Sequence, residues 1–124
     1  GVSALFPGGI VSYSNEVKMS LLNVNESTLK QYGAVSEEVA FEMAAGTRIL
    51  FGTDVGLSIT GIAGPSGGSD SKPVGLVCSG VRIGSSIKTY TDRFRGDRET
   101  IQLRGANAVI KKLWRLFWNE YYIE

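Results

Sequence analysis

The sequence contains no histidine among its 124 residues. That absence removes the Ser-His-Asp and Cys-His catalytic arrangements and the common His-containing metal sites, so acid and base work falls to lysine, tyrosine or carboxylates. It has one cysteine, Cys78, which excludes an internal disulfide and fits a reducing compartment, so a cytoplasmic location is expected. No apolar run approaches the ~18 residues that a membrane span requires, no signal peptide is visible, and no membrane partner is expected. Excess charge is lacking too. Thirteen Lys and Arg against twelve Asp and Glu leave +1, too weak a global field to recruit nucleic acid. Recognition must come from a local site.

What the chain has in abundance is glycine, 16 residues concentrated at segment junctions, as expected of many short elements joined by tight turns. Its length fits one domain, residues 1–124, with a single core that hides about two thirds of the unfolded surface. The most distinctive stretch runs from Asp54 to Gly75. There Val55, Leu57 and Ile59 alternate with Gly56, Ser58 and Thr60, which predicts a central strand with one well-packed face and one crowded face. The strand runs into a loop carrying Gly61, Gly64, Gly67 and Gly68 around Pro65, where backbone N–H groups can approach a ligand closely. The spacing fits a phosphate or oxyanion cradle and a long flexible connection equally well. A Walker ending is absent, and Gly61 to Gly64 does not match the dinucleotide fingerprint.

Taken in order, the opening residues carry no start signal and read as the middle of a domain, so a preceding segment is expected. Ile10 to Ser14 is a β-prone run, after which Asn15 is placed to cap a helix through Leu22. Lys18 shares a face of that helix with Leu21 and Leu22, so it either snorkels or is held near a site. Glu26 to Tyr32 reads as a short helix closed by Gly33. Ser36, Glu37 and Glu38 start the strongest helix, predicted over 37–51 and ended by Gly52. Val74 to Ile83 and Ile87 to Phe94, separated by Gly84-Ser85-Ser86, predict an antiparallel hairpin. Asp97 is placed to cap a last helix whose core stripe includes Ile101, Gly105, Val109 and Leu116. A basic side with Arg98, Arg104, Lys111, Lys112 and Arg115 is expected to be solvated. Trp114, Trp118 and Tyr121 form a second stripe on that helix, which points to a protein interface and a homo-oligomer.

Tyr13 at the end of one run and Lys18 early in the next helix are expected at the same sheet edge, where ligands bind in open α/β sheets. A partly desolvated lysine can accept a proton from a hydroxyl nucleophile without histidine. An ordinary surface turn would also hold these two residues. Cys78 lies in an apolar run and reads as a buried, inert thiol. Arg98 in Gly96-Asp97-Arg98 reads first as part of a helix start, and could also meet an anionic group.

Five segments occur together in one order: Tyr13-Ser-Asn-Glu-Val-Lys18, Gly33-Ala-Val-Ser-Glu-Glu-Val-Ala40, Thr60-Gly-Ile-Ala-Gly-Pro-Ser-Gly-Gly68, Lys72-Pro-Val-Gly75 and Gly96-Asp-Arg98. From Gly1 to about Leu116 the chain resembles the CinA C-terminal domain family, whose members include bacterial nicotinamide mononucleotide deamidases. The resemblance implies a three-layer α/β/α sandwich with a mixed, mostly parallel sheet, here without the family's N-terminal strand and helix. It implies hydrolysis of the carboxamide of nicotinamide mononucleotide or a similar phosphorylated amide, with no metal or other cofactor. Tyr13 and Lys18 inherit the roles of assisting a serine nucleophile. Asn15, Thr60, Gly61, Ala63, Gly64, Gly67, Gly68 and Arg98 are the implied substrate-binding positions. One departure stands out: the family's nucleophile lies in an Ala-Glu-Ser-Cys-Thr-Gly-Gly stretch near the start of the domain, and no such stretch occurs here. Ser3, Ser14, Ser36 and Ser66 do not match its position. The chain is therefore read as an amidase domain whose serine lies upstream of Gly1, with a non-catalytic nucleotide-binding or assembly module as the alternative.

Overall fold

The computed structural model describes residues 1–121. Four α-helices and three β-strands follow a short 3-10 turn at Val2–Ala4: α1 Asn15–Leu22, α2 Glu26–Tyr32, α3 Glu37–Phe51, β1 Val55–Gly61, β2 Leu76–Ile83, β3 Ser86–Arg93 and α4 Arg98–Tyr121. The strands form one sheet in the order β1-β2-β3. Both pairings are antiparallel, with Ile59 opposite Ser79 and Ser79 opposite Tyr90. Strand direction thus differs from the mostly parallel sheet expected. A parallel pair needs a long crossover, usually helical, whereas β1 returns to β2 through the glycine loop alone. β1 is the edge strand among the described residues, not the central one expected.

Helices cover both faces, giving an α/β/α arrangement. On one face the small row Gly56, Ser58 and Gly80 lets the backbone of α3 approach the sheet. A Cβ on Gly80 would lie 2.6 Å from the Ala40 carbonyl oxygen, and Ser58 Oγ donates to that same oxygen at 2.5 Å. On the other face α4 settles against Ile59 and Val77 at Gly105. Ile101, Gly105 and Val109 are its buried residues among those described. Lys112, expected on a solvated face, instead pairs with Asp92 and lies 4.5 Å from the Tyr90 ring centre, tying α4 to β3. The principal hydrophobic cluster is Leu22, Val24, Leu29, Val39 and Met43, with Ile10, Met19 and Ala34 packed against it. It fixes α1 and α2 on α3.

Local chemistry explains the boundaries. Ser36 Oγ accepts the Val39 N–H at 3.2 Å and Gly52 takes a left-handed φ of 61°, so α3 has the bounds its sequence predicts. Asn15, expected as the cap of α1, is its first residue. Ser14 is the cap, its hydroxyl accepting the Val17 N–H at 3.1 Å from an extended backbone. The β-prone run Ile10 to Ser14 forms no strand, because no ladder partner lies beside it. The hairpin closes on two residues, Gly84 and Ser85, with Ile83 opposite Ser86. No helix of the described residues is long and apolar enough to cross a membrane.

Candidate functional site

A cavity of about 690 Å³, open to solvent, lies between the stretch from Leu5 to Tyr13 and the length of β1. Lys18, Thr47, Phe51 and Gln102 are among the other residues of its walls. Lys18 is set into the wall because α1 begins just after Ser14, so its side chain folds back over the first turn. Its Nζ donates to the Ser12 carbonyl oxygen at 2.6 Å. Only 6 % of Lys18 is exposed, and burial pushes its pKa below the ordinary lysine value. This is a held amine, not a snorkelling one. Tyr13 lines the same cavity but is 81 % exposed, so its phenol stands at the mouth.

Across the cavity, Thr60 is buried, and its hydroxyl donates to the Ala34 carbonyl oxygen at 2.8 Å. Gly61 follows it at the end of β1, also on the cavity. The glycine loop then turns away. The Ile62 N–H donates to the Leu76 carbonyl at 2.9 Å and its own carbonyl accepts the Gly75 N–H at 2.7 Å. The Ile62 N–H is therefore committed to the fold and is not a free oxyanion donor. Gly64 has φ 78°, and a Cβ there would stand 2.7 Å from Val74 Cγ1, so that position excludes a side chain. Arg98 Nη1 donates to the Gly64 carbonyl at 3.0 Å, a bond that anchors the loop to the start of α4.

Family models match residues 1–117 to the CinA C-terminal domain. The chain belongs to the CinA C-terminal domain family. A CinA-like protein from Leptospira biflexa is 49% identical over 111 residues, which are 89% of this chain and 27% of that protein. Another from Fervidobacterium nodosum is 47% identical over 115 residues, 93% of this chain and 28% of the relative. The chain thus spans about a quarter of the curated relatives it matches. Among solved structures, the competence/damage inducible protein CihA from Agrobacterium tumefaciens superposes with a TM-score of 0.84 at 34% identity, covering 87% of this chain and 67% of that one. The Escherichia coli CinA superfamily protein gives 0.82 at 37% identity, covering 86% and 62%.

In this CinA-family chain the sequence-derived site residues divide into two groups. Tyr13, Lys18, Thr60 and Gly61 share the cavity. Asn15, Ala63, Gly64, Gly67, Gly68 and Arg98 lie outside its lining. Ser12 and Ser58 line the cavity without having been singled out by sequence, and Ser58 spends its hydroxyl on α3. Only a period-two reading of Ile10 to Ser14 could have pointed to Ser12. Ser14 and Ser36, two of the four serines that do not match the nucleophile position, have their oxygens engaged in helix caps. Cys78 is buried, its thiol raised above the usual range by that burial, as an inert core thiol should be. Lys72 of the Lys-Pro-Val-Gly segment donates to the Tyr32 carbonyl and so fastens the loop to the end of α2. Trp114 and Trp118 stand 63% and 48% exposed with ring centres 5.9 Å apart. The side chain of Tyr121 lies outside the described residues.

Proposed function

We propose that this chain supplies the lysine-bearing part of an amidohydrolase site that deamidates nicotinamide mononucleotide to nicotinic acid mononucleotide and ammonia. The observation that carries the reading is Lys18: a buried amine on a cavity wall, with a lowered pKa and a single carbonyl orienting it. Burial favours the neutral amine, which is the form that can take a proton. The nucleophile is a serine hydroxyl contributed from outside residues 1–124. Lys18 accepts its proton as the oxygen adds to the carboxamide carbon, and returns the proton to the nitrogen as the C–N bond breaks. Ammonia leaves. Water then hydrolyses the resulting acyl ester, the same amine taking the water's proton and returning it to the serine oxygen as the acyl–oxygen bond breaks, so one water is consumed for each ammonia released. Tyr13 at the mouth relays or holds the proton, and Thr60 with Gly61 forms the opposing wall against substrate. Arg98 and the loop from Ala63 to Gly68 shape the approach from outside the cavity. The chemistry needs no cofactor. Ammonia release from nicotinamide mononucleotide by the full-length protein is the test: release abolished by Lys18→Ala supports the reading, and release unaffected by that change defeats it.

A second reading, a non-catalytic assembly module, is favoured by the exposed Trp114 and Trp118 on α4. Under either reading, the exposed aromatics of α4 support packing of that helix against another copy of the chain.

A further inference from the structure

We infer that α4 joins α4 of a second copy as a parallel two-stranded coiled coil, with its register fixed by Asn107 against its own image. The pairing adds direction and register to the α4 contact proposed with the function, on which it rests, and is independent of the reaction. Ile101, Gly105 and Val109 recur every four residues and turn one side of α4 to the sheet. Thr100, Leu103, Asn107, Ile110, Trp114 and Phe117 instead recur at alternating steps of three and four. At about 100° per residue, their mean direction lies roughly half a turn from the buried row, so they run down the far side of the helix. There Leu103 and Ile110 are 64% and 56% exposed, and Asn107 and Trp114 are exposed with them. Steps of three and four are the spacing of a coiled-coil seam, with Asn107 and Trp114 at a positions and Leu103 and Ile110 at d positions. From Thr100 to Phe117 that seam is about 27 Å long.

Charge and polarity select the occupant and its direction. Glu99, Arg104, Lys111 and Glu120 flank the seam and are all exposed. In a parallel, in-register pair, Glu99 at a g position faces Arg104 of the second copy at an e position, and the two-fold repeats the attraction. Asn107 then meets Asn107 of the second copy, so amide donors and acceptors answer each other inside the seam. A single Asn at an a position sets register and strand number in this way. An antiparallel pair on the same seam sets Asn107 against Ile110, Arg104 against Lys111 and Glu99 against Glu120. That leaves the amide without a partner and places like charges together on both flanks. Arg104 donates from Nη1 to the Arg95 carbonyl at 3.1 Å, which leaves further donors of its fork for a carboxylate. One helix carries both halves of each match, the self-complementarity that a two-fold contact requires. Because α4 is already ordered on its own sheet, pairing does not carry the cost of forming the helix.

Sedimentation equilibrium on the chain and its variants, together with disulfide trapping at position 103, tests the pairing. The chain should sediment as a dimer. Leu103→Cys should give a disulfide-linked dimer under mild oxidation, because a parallel seam brings the two 103 positions within bonding reach, whereas an antiparallel one holds them roughly 16 Å apart along the axis. Wild type, whose Cys78 is buried, should give none. Arg104→Glu should weaken dimerisation about ten-fold by facing Glu99 with a carboxylate, and adding Glu99→Arg should restore it. Loss of the Arg95 contact alone would not be rescued by that second change. Circular dichroism checks that each variant is folded, and where Arg104→Glu fails to fold the trapping at 103 decides. A monomeric chain overturns both the pairing and the α4 contact. A dimer that gives no disulfide at 103, or whose charge reversal is not rescued, overturns the parallel pairing and leaves the α4 contact standing.

Discussion

At Gly46 a single methyl group should move the helix that carries Lys18. A Cβ built there lies 1.9 Å from the carbonyl oxygen of Leu22, the last residue of α1, whereas ordinary contact begins near 3.4 Å. Gly46→Ala therefore forces α1 and α3 apart by about 1 Å or more, and backbone is what must give. Against this stands the helix preference for alanine over glycine, about 1 kcal/mol in favour of the variant. Overpacking a tight contact costs about 1–3 kcal/mol, and a backbone clash lies at the upper end, so the net effect is destabilising by about 1–2 kcal/mol. At about 4 °C per kcal/mol for a domain of this size, the melting midpoint should fall by roughly 4–8 °C. Leu22 is one turn beyond Lys18, so the same displacement should draw the amine off the cavity wall and lower turnover of the full-length protein. Thermal denaturation followed by circular dichroism measures the first effect, with Gly9→Ala as control because nothing lies within 4 Å of its Cβ. A Gly46→Ala variant with a raised or unchanged midpoint refutes the close approach and the coupling built on it.

Lys18→Ala should leave the melting temperature nearly unchanged and lower turnover of the full-length protein by roughly 100-fold or more, the scale of a lost general base, read by steady-state kinetics. Because burial lowers the Lys18 pKa, kcat/KM should rise with pH along a limb centred below the ordinary lysine value, and Lys18→Arg should remove that limb. The same lowering means that the folded chain releases this proton before the unfolded one does. The cost of burying the ammonium is thus fully present below the folded pKa and fades as pH rises toward the unfolded pKa. Urea denaturation across that window should show stability rising with pH, and Lys18→Met should flatten the rise. Trp118→Glu should give a smaller species than wild type in light scattering, since burying aromatics from α4 against a second copy contributes about several kcal/mol to association. An unchanged mass or a monomeric wild type would refute that contact.

Much of the architecture was legible because its signals are local. Ser36, Glu37, Glu38 and Gly52 bracket α3 through caps and charges that act within a turn, and Gly84-Ser85 between two β-rich runs specifies the hairpin. Strand direction was not, since the β1 apolar alternation fits either direction and nothing in it encodes its place at the edge. Ile10 to Ser14 shows the same limit. Its residues favour a strand and even alternate in burial, but a strand exists only with a partner to bond. The anchoring of the start of α2 is invisible to local reading as well, because Glu42 on α3 holds it, accepting from the Asn25 N–H at 2.8 Å and from the Thr28 hydroxyl at 2.8 Å. In the site, the motif placing Tyr13 beside Lys18 conveyed the cavity wall. The glycines after Thr60 suggested a ligand cradle, and at Ile62 and Gly64 they instead meet backbone and side-chain demands of the fold.

The most direct measurement of the central claim is ammonia release from nicotinamide mononucleotide by two samples side by side: residues 1–124 alone, and a full-length protein in which the upstream Ser-bearing segment of a CinA-family relative precedes them. A lysine general base needs a hydroxyl within about 3 Å, and the Lys18 amine bonds instead to the carbonyl oxygen of Ser12. The account predicts release by the full-length protein, its loss on Lys18→Ala, and none by residues 1–124. Turnover by residues 1–124 at the full-length rate would place the nucleophile within this chain and contradict the assignment.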